Sequence, residues 1–406
     1  MYVIGVDAAK GKSTVCVISL DGEVLLEPRD ISHSSDEFQS LKKKLKDLIG
    51  QRKDAKVVME ATGVYHWPIY KFFKDEGYQV SIINPLKMKL FARDHNFRGV
   101  KTDKIDSRLI ALYGSEKWSS LIPYITKEDD RRDKLKRLSR AYSSYQKSRV
   151  LLQQNLDLEL EKNMPGIKKI LTDDEKLFDF CECFAHFDNI NKLSEKLFLE
   201  KFSRWAKKKN HRFRHHTPDK IYELAKSAIP TVPCDDISTL TLESAINALR
   251  TINEGLNNIL ARMHELSADL PEYEIAMKMP GTGYVLAPLI IAEIGDIRLY
   301  HNKKSLVSTC GIDVPPYESG QFKAGKRTIT KKGNKHLRRH LYLVTDSIWR
   351  VKPKQDTAIL DFMTRKKEEH KLDKQVKVAG MRKYLHIYYA RVKEKYKGLG
   401  IWQEAD

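Results

Sequence analysis

The chain has 406 residues, 41% of them apolar, and carries 73 Lys and Arg against 54 Asp and Glu, a formal charge of +19 with an isoelectric point near 9.4. That length supplies two or three domains with cores of their own, and the one-sided charge suits a polyanion such as nucleic acid as partner. Five cysteines in no framework spacing exclude a disulfide scaffold, and no apolar run is long enough for a bilayer, so a cytoplasmic protein without a signal peptide is expected.

Residues 1–118 alternate strand-like and helix-like segments. "VIGVDAAKGKST" ends in Lys12-Ser13 and invites comparison with a phosphate-binding loop, but five residues separate Gly5 from Gly11 where that loop needs four. "STVCVISL" then continues as a second strand into the turn "DG" rather than as the helix such a loop requires. The stretch therefore reads as strand, tight turn, strand, with Asp7 at the end of the first. "EVLLEPRDI" gives a third strand, "SDEFQSLKKKLKDLIG" an amphipathic helix, "AKVVMEAT" a strand, "HWPIYKFFKDEG" a helix and "QVSIINP" a strand. A three-stranded meander followed by helix and strand alternation predicts an α/β domain with a mixed sheet of the ribonuclease-H-like kind rather than a doubly wound one.

From 119 to 275 the chain turns helical and charged. Leucines at steps of three and four in "DDRRDKLKRLSRAYSSYQKSRVLLQQNLDLELEKN" suit a long helix, and a coiled-coil partner and an intramolecular helical hairpin fit it equally. Cys181 and Cys183 lack the second pair that a zinc site of that spacing needs. Residues 201–216, "KFSRWAKKKNHRFRHH", hold seven Lys or Arg and no acid, interleaved with Phe202, Trp205 and Phe213. Lys207, Lys208, Lys209, Arg212 and Arg214 are nucleic-acid-binding candidates there. The aromatics could stack on unpaired bases, or an amphipathic helix could bury them behind a solvated basic face.

The last third, 276–406, opens with Pro280-Gly281-Thr282-Gly283, a tight turn between helices that either holds a DNA phosphate on its exposed backbone N–H groups or is a plain helix-to-helix connection. Residues 321–340 carry eight Lys or Arg and no acid. Lys323, Lys326, Arg327, Lys331, Lys332, Arg338 and Arg339 are the candidates for phosphate contact in that segment.

Four acids in the first region share a pattern. Asp7 ends the first strand, Glu60 ends "KVVME", and Asp103 and Asp106 in "KTDKIDSRLIALYG" stand three apart, on one face of a helix. Carboxylates from separate elements can hold one or two Mg²⁺ ions, the second roughly 3.5–4 Å from the first, to clamp a phosphodiester. Without a metal their clustering would be repulsive.

"GVDAAK", "MEATGVYHWPIY", "INPLKMKLFA" and "KTDKIDSRLIA", with "PGTGYVLAPLIIAEIGDI", "CGIDVPPYESGQF" and "ITKKGNKHLRRHLY", resemble the DEDD transposases of insertion sequences, the insertion sequence one-ten family. The resemblance covers roughly 1–118 and 277–350. It implies a RuvC-like first domain (1–118), a helical, oligomer-forming middle with possible RNA contacts (119–275) and a helical transposase domain with a helix-hairpin-helix (276–406). It also implies a recombinase guided by a structured bridge RNA that pairs with donor and target DNA. The family's four acids map onto Asp7, Glu60, Asp103 and Asp106. Its nucleophilic serine, which forms a phosphoserine link with DNA, maps onto Ser319, in a site shared between subunits of a dimer or tetramer. "ESGQ" stands where the family has a double-serine, double-glycine run, and "GIDVPP" is one residue longer than the usual segment. The alternative is a metal-dependent nuclease of the Holliday-junction resolvase type, in which the acids activate water and no covalent link forms.

Overall fold

A computed structural model describes the chain except at residues 84, 95–101, 122–129, 315–317, 320, 321, 324–327 and 403–406, and describes 86, 130, 318, 319, 322 and 323 by their backbone alone. It resolves into two units, Met1–Glu128 and Asp129–Asp406.

In the first unit the β-branched runs form strands β1 (Tyr2–Ala9), β2 (Lys12–Ser19) and β3 (Val24–Ser32). Helix α1 (Ser35–Ile49), capped by Ser34, leads to β4 (Ala55–Glu60), α2 (Trp67–Asp75) and β5 (Gln79–Ile83), then α3 (Pro85–Asp94) and α4 (Asp103–Glu116). The sheet order is β3-β2-β1-β4-β5, with the first three strands antiparallel and β4 and β5 parallel to β1. This is the ribonuclease-H-like mixed sheet expected from the meander. One face packs on α1 and α2 through Ile4, Val6, Leu41, Val57 and Phe73; the other packs on α3 and α4 through Val3, Cys16, Val58, Phe91 and Ile110.

The second unit is helical. Its long helix α5 (Asp130–Asn163) is followed by α6 (Asp174–Phe184), α7 (Phe187–Asn191), α8 (Glu195–Lys208) and α9 (Thr217–Ser227), then by a second long helix, α10 (Asp236–Ser267). Glu159 meets Thr241 and Arg149 meets Asn253, so α5 and α10 run antiparallel as an intramolecular hairpin. Helices α6 to α9 form a separate aromatic core against its far end, built on Phe178, Phe180, Phe184, Phe198 and Phe202. Helices α11 (Pro271–Lys278) and α12 (Gly283–Ile294) make the helix-hairpin-helix, followed by α13 (Lys303–Cys310), the short strands β6 (Glu318–Ser319) and β7 (Phe322–Lys323), α14 (Lys335–Val351), α15 (Ala358–Glu368) and α16 (Asp373–Gly398). The near end of the α5/α10 hairpin shares its core with α12, α14 and α16 through Leu135, Met263, Ile290, Leu341 and Tyr388.

Candidate functional site

Packing decides where the four acids stand. Even-numbered residues of β1 join the α1/α2 core and Val3 joins the α4 core, so by strand alternation Gly5 and Asp7 point to the α4 face. Val58 lies in the same α4 core, which places Glu60 on that face too. The parallel pairing of β1 with β4 runs to Val6 opposite Met59, leaving Asp7 and Glu60 side by side where the two strands end.

Two glycines let α4 lie directly on this face. A Cβ on Gly5 would stand 2.3 Å from the Ser107 carbonyl oxygen and 2.6 Å from the Ala111 nitrogen; one on Gly114 would stand 2.5 Å from Val3 Cγ1. Residues 114 to 107 of the helix thus descend as residues 3 to 5 of the strand ascend. The first turn of α4 therefore lies over the strand end that carries Asp7. Thr102 caps that turn by accepting from the Ile105 N–H at 3.3 Å, and Asp103 and Asp106 occupy it, where the helix dipole favours carboxylates.

A fifth acid, not singled out in the sequence, extends the row. Thr14 is opposite Asp7 on one side and Asp30 on the other, and its hydroxyl donates to Asp30 Oδ1 at 2.6 Å. Lys12 Nζ lies 2.9 Å from Asp30 Oδ2 and 3.2 Å from Asp103 Oδ2. The Thr14 hydroxyl, followed by the Lys12 ammonium, holds the Asp30 carboxyl below its ordinary range, while Asp30 and then Asp103 hold the Lys12 ammonium above its own. All donors here are carboxylate or hydroxyl oxygens, which is the chemistry Mg²⁺ takes, so the residues fit that ion. Among the described residues, no three of these acids have ligand oxygens all within 4.8 Å of one another, and Lys12 supplies part of the compensating charge.

Ser319 belongs to the second unit, on a two-strand hairpin in which Glu318 pairs with Lys323 and Ser319 with Phe322. Its stem is held by backbone bonds from Thr330 N to Asp313 O, Lys331 N to Gly311 O and Asn334 N to Thr309 O, at 3.0, 3.0 and 2.7 Å. Gly311 and Gly333 permit this approach, since a Cβ on Gly333 would stand 2.4 Å from the Thr309 carbonyl oxygen. The stem is anchored on buried Glu293, which accepts from Ser139 Oγ at 2.9 Å, from Arg140 at 2.8 and 2.9 Å and from Asn334 Nδ2 at 2.7 Å. Burial alone would raise the Glu293 carboxyl; the Arg140, Asn334 and Ser139 bonds outweigh it and hold it below its ordinary range. Asn334 in turn caps α14 through the N–H groups of His336 and Leu337.

The basic candidates divide. Lys331, Lys332 and Arg339 are exposed, with no carboxylate partner among the described residues, whereas Arg338 donates to the Cys310 carbonyl at 2.7 Å and so also ties α14 to α13. Lys323 lies in β7, and Lys326 and Arg327 lie outside the described residues. Lys207, Lys208, Arg212 and Arg214 are exposed, while Lys209 is paired with Asp179 at 3.0 Å. Phe202 and Trp205 are only 3% and 7% exposed and pack with Phe180 and Phe213, so of the two readings of these aromatics the structure gives the buried one. Among the described residues no helix is long and apolar enough to cross a membrane.

Residues 4–165 match a family model for DEDD transposases, and residues 273–359 match the model described as transposase IS116/IS110/IS902 family; together they cover more than half of the chain. Pilin gene-inverting proteins of Moraxella bovis and Moraxella lacunata are each 25% identical over 345 residues, 83% of this chain and 80% of the relative. Two solved structures of RuvC from Thermus thermophilus, one in complex with a Holliday junction substrate, align over 30% of this chain and 99% of theirs, at 12% and 13% identity and a TM-score of 0.24.

Proposed function

Since the chain belongs to the IS116/IS110/IS902 transposase family, we propose that it cuts and rejoins donor and target DNA under the guidance of a structured bridge RNA, through a covalent link at Ser319. The observation that carries the reading is the placement of Asp7, Glu60, Asp103 and Asp106 on one face of the sheet, at the common end of β1 and β4. These four would hold one or two Mg²⁺ ions, whose Lewis acidity offsets the charge that develops on a phosphodiester under attack.

Ser319 Oγ forms a bond to phosphorus as the bond to the departing deoxyribose oxygen breaks. The hydroxyl proton leaves to solvent or a neighbouring base, and the departing oxygen takes one up. Rejoining reverses the step, so the bond energy of the cut strand is kept and no nucleotide cofactor is needed. The relatives are named for inverting a gene, an act that itself requires cutting and rejoining.

Lys331, Lys332 and Arg339 follow the hairpin and would neutralise phosphates beside Ser319, together with Lys323, Lys326, Arg327 and Arg338. Lys207, Lys208, Lys209, Arg212 and Arg214 offer a second basic surface for RNA or DNA. In this reading 1–118 is the metal domain, 119–275 the oligomer-forming region and 276–406 the domain of the nucleophile. The exposed Tyr145, Val150, Leu151 and Leu158 of α5 support a homo-oligomer, in which several cuts are held together.

Covalent trapping tests the proposal. The chain is incubated with Mg²⁺, RNA from the flank of its own element and labelled DNA, then denatured. Protein-linked DNA that is lost in Ser319→Ala, in Asp7→Ala and without RNA is the expected result. Metal-dependent cleavage with no adduct, unchanged in Ser319→Ala, would overturn the nucleophile assignment and leave water-activating hydrolysis as the chemistry.

A further inference from the structure

We propose that His215, His216 and Asp219 form a binding site for a transition-metal ion of the zinc(II) class, separate from the carboxylate row. The local fold builds it. After α8 the chain returns through residues 209–214 and closes a turn in which the Thr217 N–H donates to the Arg214 carbonyl at 2.9 Å. His216 directly precedes α9, Pro218 sits in its first turn, and Asp219 follows three residues after His216, on the same side of the helix entry. One ligand atom from each of the three side chains lies within 4.8 Å of the other two. The two imidazole rings stand edge to face, 5.2 Å between centroids.

Two further observations point to a ligand. Other histidines of this core have structural partners: His211 bonds Asp179 at 2.8 Å and His186 bonds the Val232 carbonyl at 3.1 Å. Among the described residues, the side chains of His215, His216 and Asp219 have no hydrogen bond or ion pair. In addition, His215 and Asp219 line an open cleft of about 500 Å³ that also includes Lys207, His211 and Arg214. Two neutral imidazoles and one carboxylate select Zn²⁺ or its neighbours over Mg²⁺, which prefers oxygen donors throughout. An ion held by these three would keep a net positive charge and an open coordination position at the cleft. It would add to the basic rim rather than neutralise it, giving an anionic ligand a further contact.

Isothermal titration of the full chain with ZnCl₂, in excess Mg²⁺ to occupy the carboxylate row, tests this directly. One equivalent is expected to bind, weakened at least tenfold in Asp219→Asn and in His215→Ala and unchanged in His301→Ala. Co²⁺ in place of Zn²⁺ should give a visible d–d spectrum that Asp219→Asn alters. All three ligands are at the surface, and unchanged circular dichroism and thermal midpoints would show the variants folded. Absence of stoichiometric binding, binding lost in Asp7→Ala but kept in Asp219→Asn, or equal affinity in all variants would each overturn the site. None of these readouts depends on DNA cleavage, so the site and the proposed recombination stand or fall separately.

Discussion

Gly5→Ala is the sharpest test of the geometry that assembles the carboxylates. The added methyl carbon would lie 2.3 Å from the Ser107 carbonyl oxygen, 2.6 Å from the Ala111 nitrogen and 2.7 Å from the Ala111 Cβ. Ordinary contact begins near 3.4 Å, so α4 must retreat from β1 by about 1 Å. The obstacle is helix backbone, which cannot rotate aside, so a loss toward the upper end of the ~1–3 kcal/mol typical of overpacking is expected. The same retreat carries Asp103 and Asp106 away from Asp7 and Glu60, and a misplacement of about 1 Å at a reacting centre costs on the order of 10²-fold in rate. Urea denaturation and the rate of adduct formation measure the two effects. Gly255→Ala on α10 is the control: nothing lies within 4 Å of its added Cβ, and replacing a mid-helix glycine should stabilise by about 0.5–1 kcal/mol. Wild-type stability and adduct rate in Gly5→Ala would refute the direct seating of α4 on β1.

Glu293→Ala leaves the buried Ser139 Oγ without its acceptor and Arg140 without its carboxylate, with Asn334 Nδ2 keeping only the residue-293 carbonyl at 3.2 Å, and should cost about 2–4 kcal/mol by thermal or chemical melting. Because Asn334 anchors the stem of the Ser319 hairpin, adduct yield should fall in this variant even where it is fully folded. His340 is buried, and desolvation pushes its imidazole down to about 4, against an unfolded value near 6.5. The unfolded chain binds that proton first, so stability falls as pH drops from about 6.5 to about 4, by on the order of 3 kcal/mol in all. His340→Leu should flatten that interval in denaturation curves taken at each pH. Lys12→Gln removes the ammonium that pairs with Asp103, and should lower the Mg²⁺ concentration for half-maximal adduct formation. A raised requirement would mean that Lys12 helps to assemble the site instead of competing for it.

The strand meander and the placing of Asp103 and Asp106 on one helix face were legible because each rests on local chemistry: β-branched alternation and a three-residue step. The Glu293 anchor left a weaker trace, a single charge inside the apolar run "YVLAPLIIAEIG", whose partners Ser139 and Arg140 lie over 150 residues away. On the sequence "ESGQF" places its serine in a turn, and that this serine is a nucleophile is implied only by family resemblance, since a hydroxyl in a turn carries no chemistry of its own.

Asp30 shows why alternation alone misplaces a residue. Leu26 of β3 packs in the α1/α2 core, and counting by twos from it would put Asp30 on that same apolar face. The pairing of β2 with β3 slips: Val17 meets Leu26 while Val15 meets Arg29, so β3 spends three residues where β2 spends two. The extra residue falls in Glu27-Pro28, on an edge strand, where a proline can sit without breaking an inner ladder. Beyond it the faces exchange. Ile31 takes over the α1/α2 core and Asp30 turns to the α4 side, opposite Thr14 and within reach of Lys12. One bulge thus carries Asp30 from the apolar face that alternation assigns it to the carboxylate row.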